Sequence, residues 1–120
     1  MTVQFPPEGD RPADRVAFLY ATAPDAKTAA SLARALVEER LIACGNVLPG
    51  MQSVYRWEGS VTTDTEAVLI AKTTADRAAA AIARLAELHP YEIPAITRFD
   101  AAGALPAFAA WVSEEASGER

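Results

Sequence analysis

The stretch MQSVYRWEGSVTTDTEAVLIAKTT, residues 51–74, decides the fold. Glu58-Gly59-Ser60 is a turn signal, and the segments on either side of it are rich in β-formers. Residues 51–58 and 61–74 therefore pair as a long hairpin. Near the end of its second arm, AVLIA at 67–71 is apolar on both parities, the pattern of a strand covered on both faces. The first arm reaches further back: LIACGNVL runs from Leu41, and Pro49-Gly50 then breaks the alternation, as at a kink or bulge in one long strand.

Upstream, VAFLYA at 16–21 is again apolar on both parities and reads as a doubly covered strand. Pro24 and Asp25 suit the first turn of a helix. Ala26, Ala29, Ala30, Ala33, Leu36 and Val37 then recur at helical spacing, up to about Arg40. Downstream of the hairpin, a second helix is expected from about Ala75 to Leu88. Thr74 would cap it, Ala78, Ile82, Leu85 and Ala86 would form its buried stripe, and Pro90 would stop it. AITRFD at 95–100 reads as the last strand, and Leu105 to Glu115 as a closing helix.

Strand, helix, long hairpin, helix, strand is the split βαβ-βαβ plan: an α+β, ferredoxin-like βαββαβ antiparallel sheet with an extra C-terminal helix. Two helices cover only one face of such a sheet, so the apolar second face finds its cover in other subunits. The alternative is that the terminal helix folds across it. Residues 1–14, with three prolines and no periodicity, read as a mobile tail before a single domain at 15–116, and 117–120 as a short C-terminal tail.

The 120 residues suffice for one core. A formal charge of −5 without a basic run argues against a nucleic-acid or anionic-membrane partner. One cysteine allows no internal disulfide, no signal segment is read at the start, and no apolar run approaches the ~20 residues that span a bilayer. A cytoplasmic location is the expectation.

No Gly-rich phosphate loop, nucleophile elbow or paired-cysteine motif is present, and the only thiol–imidazole pair is Cys44 and His89, so an enzyme is not expected. Cys44, inside an apolar strand, reads first as a small core residue. Thiolate plus imidazole is nevertheless a soft pair suited to Cu(I) or Zn(II), which Glu66 or Glu92 can complete. On the hairpin, Tyr55 and Trp57 share a strand face, while Glu66 and Lys72 bracket Val68 and Ile70 on one parity. That pattern fits an interface ion pair, a ligand-binding rim, or side chains reaching solvent at strand ends. His89-Pro90-Tyr91 can turn toward the same region.

Taken in order, these stretches resemble the CutA family of divalent-cation-tolerance proteins. The matching residues are Thr22-Ala23-Pro24, Glu39 through Asn46, Pro49-Gly50, Ser53, Tyr55, Trp57-Glu58-Gly59, Glu66, Lys72-Thr73, His89-Pro90-Tyr91 and Pro94. The resemblance spans Val16 to Val112. It implies a homotrimer packed through its sheets, similar to the PII signal proteins, linked to tolerance of copper and other divalent metals. It requires no cofactor but implies weak binding of copper or another divalent ion. Cys44 and His89 are then the candidate ligands, with Glu66 as a third. The alternative is a PII-like sensor or scaffold with a small-molecule cleft between subunits, lined by Tyr55, Trp57, Glu66, Lys72 and Tyr91.

Overall fold

In the computed structural model, residues 11–117 are described; the expected tail lies outside them up to Asp10, as does the C-terminal tail from Gly118. Pro12–Asp14 form a single 3-10 turn ahead of the first strand.

Strand β1 (Val16–Ala23) buries Ala17, Leu19, Ala21 and Ala23 on one face and turns Val16, Phe18, Tyr20 and Thr22 to the other. Helix α1 (Ala26–Glu38) begins after Pro24, not on it. Asp25 is the cap, its carboxylate accepting the Thr28 backbone N–H at 2.7 Å. Its buried stripe is Ala29, Leu32, Ala33 and Leu36. Ala30 and Val37, expected inside, face solvent, because Leu32 takes the inward position between them. The helix closes when Arg40 enters the left-handed region at φ 58° and the Leu41 N–H bonds to the Leu36 carbonyl at 2.9 Å.

Strands β2 (Cys44–Trp57) and β3 (Ser60–Thr74) form the long hairpin. Its register slips between Leu48 and Met51, at the Pro49-Gly50 break expected from sequence, with Gly50 at φ 71°. Glu58 (φ 50°) and Gly59 (φ 82°) make a two-residue turn with both central residues left-handed, the twist that a tight hairpin favours.

Helix α2 (Ala78–Leu88) starts later than expected. Thr74 is the last residue of β3 and its hydroxyl bonds to the Asp76 carboxylate, so Arg77 occupies the cap position. Ala78, Ala81 and Leu85 are its buried residues, whereas Ala86 is exposed. Strand β4 (Ile96–Asp100) and helix α3 (Pro106–Glu115) complete the chain.

The four strands lie in the order β2-β3-β1-β4, each antiparallel to its neighbour, so the α+β ferredoxin-like plan holds. Helices α1 and α2 cover one face around a core that includes Leu19, Leu36, Ile42, Leu69 and Leu85. Arg84 of α2 makes a two-pronged bond to Glu39 at 2.9 and 3.1 Å, tying α2 to the end of α1.

On the other face, α3 packs Ala109, Val112 and Ala116 against Val16 and Ala43, with Phe18 and Phe108 at the edge. The terminal helix thus covers only one end of that face. The remainder is open: Tyr20, Leu48 (54% exposed) and Phe99 (57%) stand on it. Beyond the helices the hairpin runs on as a free arm, with Val54, Trp57 and Val61 each more than 60% exposed.

Candidate functional site

Of the polar residues singled out from sequence, Cys44, Lys72, Glu66 and Tyr55 share the open face of the sheet and its hairpin, and they fall into two groups along it. The first lies beside α3. Cys44 opens β2 directly across from Lys72, and Lys72 lies across from Phe18 of β1. The Lys72 ammonium donates to the Asn46 side-chain oxygen and sits 5.7 Å from the centroid of the Phe18 ring. Cys44 is half-buried here and is not the core residue its apolar neighbours suggest. It sits at the start of an edge strand, on the parity that points away from the helices.

The second group lies further along β3, where the open face meets the loop after α2. His89 ends α2 in an extended conformation, and Pro90 prevents the helix from continuing. The imidazole is only 7% exposed. Its Nε2 lies 2.7 Å from the Thr22 carbonyl oxygen, and its Nδ1 lies 3.1 Å from the Tyr91 backbone nitrogen. A carbonyl only accepts and an amide N–H only donates, so Nε2 carries the proton and Nδ1 supplies its lone pair. Both nitrogens are committed.

Tyr91 then tilts against the His89 ring, centroids 4.8 Å apart, and donates its hydroxyl to Glu66 Oε2 at 2.6 Å. Alongside, Tyr55 donates to Asp64 Oδ2 at 2.6 Å. Burial pushes the Tyr91 phenol well above the ordinary tyrosine range, and the bond to Glu66 and the charges of Glu66 and Asp64 push it further. The Tyr55 phenol is raised first by its bond to Asp64, then by partial burial and the charges of Asp64 and Glu66. Each phenol therefore feels both carboxylates, and the four side chains form one cluster.

This geometry separates residues that the sequence placed in common sets. Cys44 shares its row with Phe18, whereas His89 is bonded to Thr22, about 13 Å further along β1 at strand spacing. One chain does not bring thiol and imidazole together. Glu66 and Lys72, six positions apart on β3, are about 20 Å from each other by the same spacing, so they make neither an ion pair nor one rim. Trp57, 61% exposed, stands out toward the hairpin tip. Glu92 is exposed in the loop beyond Tyr91.

Asp64, unnoticed in the sequence, belongs to the cluster; its signal was a carboxylate two residues before Glu66, hence on the same face. Among the described residues no three of His, Cys, Asp and Glu converge on a metal position. The donors present are a pair of carboxylates, suited to hard divalent ions, and a separate thiol suited to soft ones.

The fold defines the class: a ferredoxin-like α+β domain whose long hairpin and open sheet face carry its polar cluster. The family model described as CutA1 divalent ion tolerance protein matches residues 17–115, and the chain belongs to that family. It is 41% identical over 93 residues to a Thermus thermophilus relative named divalent-cation tolerance protein CutA, covering 78% of this chain and 90% of that one. It is 33% identical to a chloroplastic CutA of Arabidopsis thaliana over 78% of this chain, spanning 52% of the plant protein. Among solved structures, CutA from Xylella fastidiosa superposes with a TM-score of 0.83 at 40% identity, covering 85% of this chain and 98% of that one.

Proposed function

We propose that this family member is a homotrimeric cation-tolerance protein that binds divalent metal ions weakly. Glu66 and Asp64 are the donors for hard ions, and Cys44 is the donor for copper. The observation that carries this reading is the half-buried Glu66 held by the Tyr91 hydroxyl beside Asp64. Two carboxylates fall short of a full coordination shell, so water or a second copy has to supply the rest, which accounts for weak binding. The open apolar face supports assembly, and in this reading Cys44 lies where copies meet. His89 joins as a ligand only by giving up its bond to the Tyr91 amide or to the Thr22 carbonyl. The small-molecule cleft draws no support from the chain's own geometry, since Lys72 lies far from Glu66 and Tyr91.

In this reading the function is one of binding. Among the described residues no helix is long and apolar enough to cross a membrane. We place the protein in the cytoplasm on its lone cysteine, and fractionation of cells producing it would check this.

Native mass spectrometry with and without Ca2+, Mg2+ and Cu2+ tests the proposal. Three chains are expected, with Ca2+ and Mg2+ retention lost in Glu66→Gln and copper retention lost in Cys44→Ser. A monomer overturns the assembly, and metal retention unchanged in both variants overturns the donors.

A further inference from the structure

The hairpin is not supported evenly along its length. Val68 to Lys72 of β3 pair with β2 on one side and β1 on the other, and the β1 pairing ends with Ala23 opposite Ala67. From Ser60 to Glu66, among the described residues, β3 pairs with β2 alone, so the arm begins at Glu66. The β2 ladder is interrupted at the same level. Its register slips after Leu48, which lies opposite Val68, and pairing resumes with Met51 opposite Glu66. Gly50, inside the slip, stands at φ 71°. A slip disrupts the ladder and bends the strand, and here it coincides with the loss of the third strand. The root of the arm is therefore where the hairpin bends most easily.

Two side chains of the sheet body reach across this point. The Tyr91 hydroxyl, carried by the loop after α2, donates to Glu66 Oε2 at 2.6 Å. The Tyr20 hydroxyl of β1 donates to Met51 Sδ at 3.6 Å, the weaker contact because a thioether is a poor acceptor. Tyr91 is itself held by the buried His89, which gives its Nε2 proton to the Thr22 carbonyl of β1 and accepts the Tyr91 amide at Nδ1. Pro90 restricts the single residue between them, and the two rings lie 4.8 Å apart. A line of contacts thus runs from the end of β1 through His89 and Tyr91 to the first residue of the arm.

We propose that Tyr91 braces a hinge at the root of the hairpin arm, that His89 is the positioning residue holding Tyr91 there, and that the brace presets the arm for association. The last part rests on the reading of this protein as an assembly of copies. The arm exposes Val54, Trp57 and Val61, and an arm already held in one direction loses less conformational freedom when a second copy meets it.

Hydrogen exchange of the full chain, read by mass spectrometry, tests the brace at a concentration where wild type and variants have the same mass in solution. Tyr91→Phe should speed exchange of the arm amides at 51–57 and 60–66 about two- to tenfold, the worth of one net hydrogen bond. The three-stranded stretch at 68–72 should keep its protection. His89→Ala, with its fold verified by circular dichroism, should loosen the arm to the same extent. His89→Gln, whose amide can both donate and accept, should restore most of the protection. Arm exchange unchanged in Tyr91→Phe, or faster by the same factor throughout the chain, overturns the brace. Arm exchange unchanged in His89→Ala alone overturns the positioning role.

Association is read by diluting wild type and Tyr91→Phe and following the mass in solution. The variant should come apart at a higher concentration than the wild type, and equal dissociation with a loosened arm overturns the presetting. Failure of the assembly reading looks different: every sample then has the mass of one chain, which removes the presetting, while arm exchange still decides the brace.

Discussion

A Cβ placed on Gly45 would lie 3.0 Å from the Ala33 Cβ of α1 and 3.1 Å from Leu69 Cδ1. Leu69 can turn slightly, but the Ala33 Cβ is fixed to the helix backbone, so the residue is small because α1 packs directly on β2. Gly45→Ala should destabilise the fold by about 1–3 kcal/mol, the usual cost of overpacking. The urea midpoint measures it; an unchanged midpoint would mean that α1 shifts freely. Tyr91 makes a second prediction at this scale. Its phenol titrates above the ordinary value of 10.0, so the folded state favours the neutral form. That contribution is fully present below the ordinary value and is lost as pH rises from there through the elevated folded value. Above pH 10 the wild type should therefore lose stability more steeply than Tyr91→Phe, as followed by alkaline denaturation. Parallel curves would show that the Tyr91–Glu66 bond is not kept in solution.

The hairpin is the element on which the rest is built, since β3 pairs with both β1 and β2 and carries Asp64, Glu66 and Lys72. Its tip depends on backbone conformation alone. A Cβ on Gly59 would meet nothing within 4 Å, yet φ is 82°. Gly59→Val should cost about 1–2 kcal/mol through the left-handed backbone that a branched residue resists. Because the tip is solvent-exposed, chemical denaturation should show that loss while the Tyr91–Glu66 bond, whose carboxylate lies seven positions on from Gly59, still steepens the alkaline loss of stability. Loss of both together would mean that the arm and the sheet body are strictly coupled.

For the molecule as a whole, the unequal faces of the sheet matter most. One is sealed by α1 and α2, the other by α3 at a single end, and Tyr20, Leu48 and Phe99 remain on the uncovered part. If copies of the chain cover that part, folding and association are linked, and the melting temperature should rise with protein concentration. Leu48→Glu should remove the concentration dependence and lower the mass in solution to that of one chain. A melting temperature independent of concentration, with a mass of one chain, would leave the apolar face without its proposed cover.

The order of elements, the hairpin and the break at Pro49-Gly50 were legible in the sequence, because alternation, turn residues and helical spacing are local properties of the chain. So was the excess of apolar surface on the second face, since VAFLYA and AVLIA are apolar on both parities. Helix starts were less legible. Whether Pro24 or Asp25 opens α1, and whether Thr74 caps α2, depends on how far each preceding strand stays paired. The candidate site was legible only as a set of residues. Parity paired Tyr55 with Trp57 and Glu66 with Lys72, but it does not tell which stand near one another along strands of fourteen and fifteen residues, and only the register slip after Leu48 brings Cys44 and Tyr55 to one face. Only the tertiary structure decided that Cys44 and His89 belong to different ends of the sheet, and that His89 commits both nitrogens to backbone groups of Thr22 and Tyr91. Sequence spacing sets which face a side chain occupies, whereas strand register and the path of the loop after α2 set its neighbours. Those follow from the packing of the whole chain.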